Sequence, residues 1–369
     1  MFTLNEKEQQ LISLIRQNPY CSQQELAEGL GLSRPAVANL ISALTKRGHI
    51  SGRAYVLAPE DEIICIGGAN VDRKFHVTGP VAAGTSNPAE QSVTIGGVAR
   101  NIAENLGRLD HPVRLITTAG KDADWDLIAM HSSPYMDLTS VRLLSNVSTG
   151  SYSAVLDSQG ELVIAMAVME VYESLNTEYI ASLERHLARA KMIVMDLNVS
   201  KETAEAIRDT AVRHQVQLAI VPVSGPKMAH LPDTLDGLTW FICNEDEAET
   251  LTGITIQNDE DWKTAVHALL DSGAEHAIIT RGKRGIMAGD RTARMIHHHA
   301  AIPGVAVEDV TGAGDAFVSG VLHAAVMERT LNDAISYGLV NAAKTLASTY
   351  TVRPELTANG LENELEEYK

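Results

Sequence analysis

The chain has 369 residues, 45% hydrophobic and 21% charged, the balance of an ordinary globular protein with room for a large α/β domain and a smaller one. It has no run of 18 apolar residues, which excludes a membrane-spanning helix, and Met1-Phe2-Thr3-Leu4-Asn5-Glu6 lacks the basic-then-apolar pattern of a signal peptide. The net charge of −17 excludes nonspecific nucleic-acid binding by the molecule as a whole.

Cys21, Cys65 and Cys243 lie far apart, without zinc spacing, and read as buried thiols of a cytoplasmic protein. The charge is uneven. Residues 1–57 hold six Lys or Arg (Lys7, Arg16, Arg34, Lys46, Arg47, Arg53) against four acids (Glu6, Glu8, Glu25, Glu28), so the acidity belongs to the remainder.

Three short helices are predicted first. Asn5 with Glu8, and Ser22 with Glu25, have capping-box spacing, and Ser33 can cap a third helix whose stripe is Val37, Leu40, Ile41 and Leu44. Residues 49–57 read as a hairpin turning at Ser51-Gly52. The pattern over residues 1–57 resembles the winged helix-turn-helix of bacterial regulators. That resemblance implies DNA contact through Arg34 and Asn39 on the third helix and Arg53 on the wing. A docking or dimerisation module with no DNA contact is the alternative.

Residues 58–61 form a polar linker to a second module, residues 62–369. There, apolar and partly β-branched runs at residues 63–66, 113–117, 192–195, 216–221 and 277–280 alternate with helical stretches such as 176–190 and 200–214. This predicts an α/β fold with a mostly parallel sheet flanked by helices. Segments near 73–94 and 151–166 alternate apolar and polar residues instead, as antiparallel strands of a small β lid would. His297-His298-His299 reads as a polar loop, residues 362–367 as a solvated helix end, and Met166 and Met169 as core.

The residues that carry chemistry begin with Asp309-Val310-Thr311-Gly312-Ala313-Gly314-Asp315, ahead of an apolar helix. The backbone of Gly312, Ala313 and Gly314 at a helix start leaves N–H groups unpaired, with the positive end of the helix dipole behind them: an anion hole for a phosphoryl group. Asp315, in the first turn, can accept the proton of an attacking hydroxyl. Gly96-Gly97 allow close backbone approach to a sugar, and Asn101 on the following turn can bond its hydroxyls.

These two motifs resemble the signatures of the ribokinase-like (PfkB) carbohydrate and nucleoside kinases, over roughly residues 62–350. The resemblance implies a ribokinase-like fold, ATP and Mg2+ as cofactors, and Asp315 as catalytic base. It assigns Asp72 of Asn70-Val71-Asp72 to the sugar's vicinal hydroxyls, and Asn244, Thr280, Gly282, Gly285 and Asn341 to the nucleotide. It assigns Glu247 to Mg2+ through water and Asp309 to a monovalent cation such as K+. Within the family the match is to the pseudouridine-kinase type, through Ser86-Asn87-Pro88, Gly97–Ala103, Pro222-Val223-Ser224 and Lys227. Two features depart from that type: Val221 stands where an Asp is common, and the stretch 165–170 is more apolar. A small-molecule nucleoside or sugar acceptor, DNA and a homodimer partner are the implied partners, with a free sugar such as ribose or a ligand-sensing regulator as alternatives.

Overall fold

The computed structural model describes residues 4–52 and 61–368. Helices α1 (Glu6–Gln17), α2 (Gln23–Leu30) and α3 (Arg34–Lys46) start at the foreseen caps. Asn5 with Glu8 and Ser22 with Glu25 form complete capping boxes, and Ser33 accepts the N–H of Ala36. Leu11, Ile15, Leu26, Val37 and Leu44 close a small core of their own. Arg47 is taken up by Glu8, so it is no longer available as a free basic group. Arg34 and Asn39 lie exposed on α3. Arg53, most of the expected hairpin and nearly all of the linker lie outside the described residues.

The larger body is built on a nine-stranded sheet. Its elements in chain order start with β1 (Ile63–Ile66), β2 (Asn70–Val77), β3 (Ala89–Gly96), α4 (Val98–Arg108), β4 (Val113–Gly120), α5 (Ala123–Ser132) and β5 (Val141–Leu144). Next come β6 (Gly150–Leu156), β7 (Leu162–Val168), α6 (Thr177–Ser182), α7 (Glu184–Leu187), β8 (Met192–Asp196), α8 (Lys201–His214) and β9 (Gln217–Val221). The chain continues through β10 (Trp240–Asn244), α9 (Glu245–Thr252), α10 (Asp259–Asp271), β11 (His276–Thr280), β12 (Ile286–Asp290) and β13 (Met295–His299). It ends with α11 (Ala313–Val326), α12 (Leu331–Leu346) and α13 (Ala358–Glu367).

The sheet order is β13-β12-β11-β10-β9-β8-β1-β4-β5, parallel from β11 to β5 and antiparallel at β12 and β13. Helices cover both faces, which is why β1 is apolar at every position. Ile63 and Cys65 pack on the side of α4, α11 and α12, while Ile64 and Ile66 pack on the side of α8 and α10.

The lid is a separate four-stranded sheet, β3-β2-β6-β7. Its outer pairs are antiparallel as expected, but β2 and β6 run parallel. The chain leaves β3 for a long excursion through α4, β4, α5 and β5 and re-enters as β6, running with β2 and against β3, so no hairpin joins the two central strands. Two ion pairs tie the lid to the body: Arg73 grips Asp124 of α5 with bonds of 2.6 and 3.0 Å, and Lys74 lies 3.2 Å from Asp309.

Three local expectations are corrected. His297–His299 is not a loop but the end of edge strand β13; His298 bonds the Arg284 carbonyl at 2.9 Å and stands edge-on to Trp262. Histidines carry little strand signal, and pairing with β12 decides the conformation. The helix expected over residues 176–190 is two short ones, α6 and α7. Met166 is not core but lies exposed on β7, because the lid sheet has no helix over that strand.

Candidate active site

The site grows from the N-terminus of α11. Gly312 is its N-cap at φ 81°, and a Cβ there would lie 2.1 Å from the Thr351 carbonyl, so only glycine fits. No side chain caps the helix, and of its first-turn N–H groups that of Ala313 makes a long bond of 3.4 Å to the Val310 carbonyl. The preceding turn is closed from within, since Asp309 Oδ1 accepts the Thr311 N–H at 2.8 Å and its hydroxyl at 2.6 Å. Burial works against ionisation of Asp309, but Thr311 and Lys74 together hold its carboxyl below the usual range. Both Asp309 oxygens are engaged, Oδ1 by Thr311 and Oδ2 by the Lys74 ammonium at 3.2 Å.

Asp315 sits one turn further on. Its Oδ2 accepts from the Asn101 amide nitrogen at 2.8 Å. Burial pushes the Asp315 carboxyl up to about 7; Asn101 pulls the other way, Asp196 and Asp72 add to the rise, and Arg100 opposes it. Asn101 is delivered by α4, whose N-cap Gly97 has φ 100° and lies so close to Gly68 that a Cβ would be 2.4 Å from its carbonyl.

Asp72 on β2 completes the group. It accepts from Asn70 at 2.6 Å and fills the space beside Gly96, where a Cβ would lie 2.2 Å from Oδ2. Burial lifts its carboxyl to about 6 against the pull of Asn70 and Lys74. Sequence reasoning missed Asp196, at the end of β8. Its carboxylate takes the N–H groups of Gly68 at 2.8 Å, Ala99 at 2.9 Å and Asn198 at 2.9 Å, joining the loop after β1 to the start of α4. An acid ending the apolar run Met192–Met195 was the available signal.

Asp315, Asn101, Asp72, Gly96 and Gly97 are thus brought together. Asn244, Thr280, Gly282 and Gly285 lie at the same C-terminal edge of the sheet, where Asn244 and Thr280 are register partners. From β8 to β11 is three strand steps, about 14 Å. Gly285, at φ 89°, packs against the His299 carbonyl, so the loop after β11 lies close to the chain beyond β13. Asn244 and Glu247 form a capping box on α9; the Glu247 carboxylate is buried and accepts the Asn244 N–H at 2.9 Å. Asn341 is not brought to the site. It is fully buried, donating to Asn105 at 3.2 Å and the Ala316 carbonyl at 2.9 Å while accepting from Arg353.

Residues 60–358 match the family described as pfkB family carbohydrate kinase, and residues 4–50 the one described as winged helix-turn-helix DNA-binding. The chain is 28% identical to the pseudouridine kinase of Escherichia coli, over 81% of this chain and 94% of that one. It is also 28% identical to the guanosine-inosine kinase of Exiguobacterium acetylicum, over 78% and 95%. Identity to the uncharacterized sugar kinase YeiI of E. coli is 25%, over 96% and 98%. Among solved structures, a putative sugar kinase from Clostridium perfringens superposes with a TM-score of 0.73 at 25% identity, covering 84% of this chain and 96% of that one. Arabidopsis thaliana ribokinase complexed with ribose and ATP shares the fold, with a TM-score of 0.73 at 19% identity over 84% and 99%. The chain belongs to the pfkB family of carbohydrate kinases and is an ATP-dependent sugar or nucleoside kinase with a winged helix-turn-helix domain ahead of its catalytic body.

Proposed function

We propose that the chain transfers the γ-phosphoryl group of ATP to the hydroxymethyl oxygen of a ribose-type acceptor, pseudouridine or a related nucleoside, in the cytoplasm. The observation that carries this reading is the Asn101–Asp315 contact at 2.8 Å, beside a helix start without a side-chain cap. The acceptor's hydroxymethyl group would donate to Asp315 Oδ1, the carboxylate oxygen that the Asn101 amide does not take. Asp315 then removes the proton as the oxygen attacks, and the N–H groups of Gly312–Gly314 receive the charge on the transferring group. A base that burial lifts to about 7 suits this role, because about half of it is ionised at neutral pH and it is strong enough to take a hydroxyl proton. Asp72 grips the diol. Asn244, Thr280, Gly282 and Gly285 line the path of ATP, and Glu247 orders water around Mg2+, which supplies charge neutralisation at the phosphates when bound.

The choice of a nucleoside over free ribose rests on the Ser86–Pro88, Pro222–Ser224 and Lys227 resemblance. Against it, Val221 is a buried residue at the end of β9 rather than an acid. Steady-state ATP turnover over pseudouridine, uridine, guanosine, inosine and ribose tests the choice. Pseudouridine is expected to give the highest kcat/KM, and a preference for ribose would replace it as the acceptor.

A second activity is favoured by the helix-turn-helix. The exposed Arg34 and Asn39 would reach DNA, with the acidic body repelling phosphate, so two copies are needed for useful affinity. Edge strand β7 supports a homodimer: all seven residues of Leu162–Val168 are exposed and none is charged. A dimer protecting a short inverted repeat is expected, with binding falling steeply as salt rises. Arg34→Ala should weaken it about tenfold in a gel shift without changing kinase kcat. Failure of random duplexes to yield any enriched sequence at low salt would leave a docking module instead.

A further inference from the structure

The proposed chemistry leaves Arg100 unused, although it adjoins the reacting pair and is only 3% exposed. Its guanidinium is held on every side. Nε donates to Ser132 Oγ at 3.2 Å, and Nη1 to the Ile95 carbonyl at 3.4 Å and to Asn101 Oδ1 at 3.1 Å. Nη2 meets Glu104, whose other oxygen takes Arg108 Nε at 2.9 Å.

A guanidinium has donors and no acceptor. Its contact with Asn101 therefore selects the amide oxygen and leaves the NH2 group facing Asp315. An asparagine amide is free to turn over and present either end. With its nitrogen toward Asp315 it donates to a carboxylate; with its oxygen there it would accept from the neutral acid. The first orientation favours the base form of Asp315 and the second favours the acid form.

We infer that Arg100 is a positioning residue, locking the Asn101 amide so that Asp315 is kept in the carboxylate form that transfer requires. The inference rests on Asp315 being the base of the reaction. The groups around Asp315 give the lock its importance: Asp196 from β8 and Asp72 from β2 both press toward protonation, and Asn101 and Arg100, both on α4, oppose them.

The test follows the Asp315 carboxyl directly, by NMR of the full chain carrying 13C-labelled aspartate, with the resonance assigned from Asp315→Asn. Arg100→Met should raise the Asp315 pKa by about one to two pH units, the value of one hydrogen bond to a charged group. Arg100→Lys, which keeps a donor-only cation, should stay near the wild-type value. In an Asn101→Ala background Arg100→Met should add clearly less, only the part due to its charge, because the amide it controls is gone. An unchanged value in Arg100→Met overturns the inference, and so does an equal shift in both backgrounds, which would mean that Arg100 acts through its charge alone. Arg100→Gln retains a polar partner for Glu104 should the Met variant not fold, and is expected to move the value upward as well.

The acid limb of ATP turnover with pseudouridine should follow the NMR values. At pH 7 this amounts to about a fivefold to fiftyfold loss in Arg100→Met. If the NMR value moves while the acid limb stays, Arg100 sets the protonation of Asp315 but Asp315 is not the base.

Discussion

Asp315→Asn is expected to lower kcat by about 10²–10⁴-fold, the usual contribution of a positioned general base. Affinity for ATP should change little, because the anion hole is backbone and the substitution keeps the shape of the first helical turn. The same variant should be more stable above neutral pH. The carboxyl titrates at about 7 in the fold, against 3.8 for an aspartate free in water. A raised value means that its stabilising share is fully present below pH 3.8 and lost as pH rises through about 7, where the buried carboxylate opposes folding. Asparagine removes that opposition. Calorimetry should show a gain on the order of 1–3 kcal/mol at pH 8 that vanishes near pH 4. Near-full kcat with no stability gain would remove Asp315 from both roles. A catalytic group that costs stability is the usual sign of a site shaped for chemistry rather than for folding.

A 2′-deoxy or 3′-deoxy acceptor should lose about ten- to a hundredfold in kcat/KM, since each lost bond to a charged reader costs about 1.5–3 kcal/mol. The reader is Asp72, held by Asn70 at 2.6 Å on the strand that also carries Lys74 to Asp309. Its carboxyl titrates at about 6, so the diol should be gripped above that pH and released below it. KM for the ribo acceptor should therefore climb as pH falls from 7 to 5, while KM for the deoxy acceptor stays comparatively flat. Initial rates with paired ribo and deoxy nucleosides measure both effects. Equal use of the two acceptors would take the diol away from Asp72.

How much of this was legible in the amino-acid sequence depended on whether the deciding interaction was local. The three N-terminal helices were legible because their caps lie three residues from the N–H groups they satisfy, as at Asn5 and Glu8. The central strands were legible because a strand buried on both faces must be apolar throughout, as β1 is. The uncapped glycine-rich start of α11 and the aspartate in its first turn were legible for the same reason: Gly312 to Asp315 is one continuous turn. Tertiary structure decided everything that depended on distant partners. The parallel pairing of β2 with β6 and the strand at His297–His299 come from neighbours outside their own segments. Asp196 enters the site because β8 lies beside β1, and the Asp315 carboxyl rises because burial, Asp196 and Asp72 act on it together. Asn341 shows the converse. The family resemblance assigned it to the nucleotide, but Asn105, Ala316 and Arg353 turn it inward, because a buried amide must find partners for both its ends.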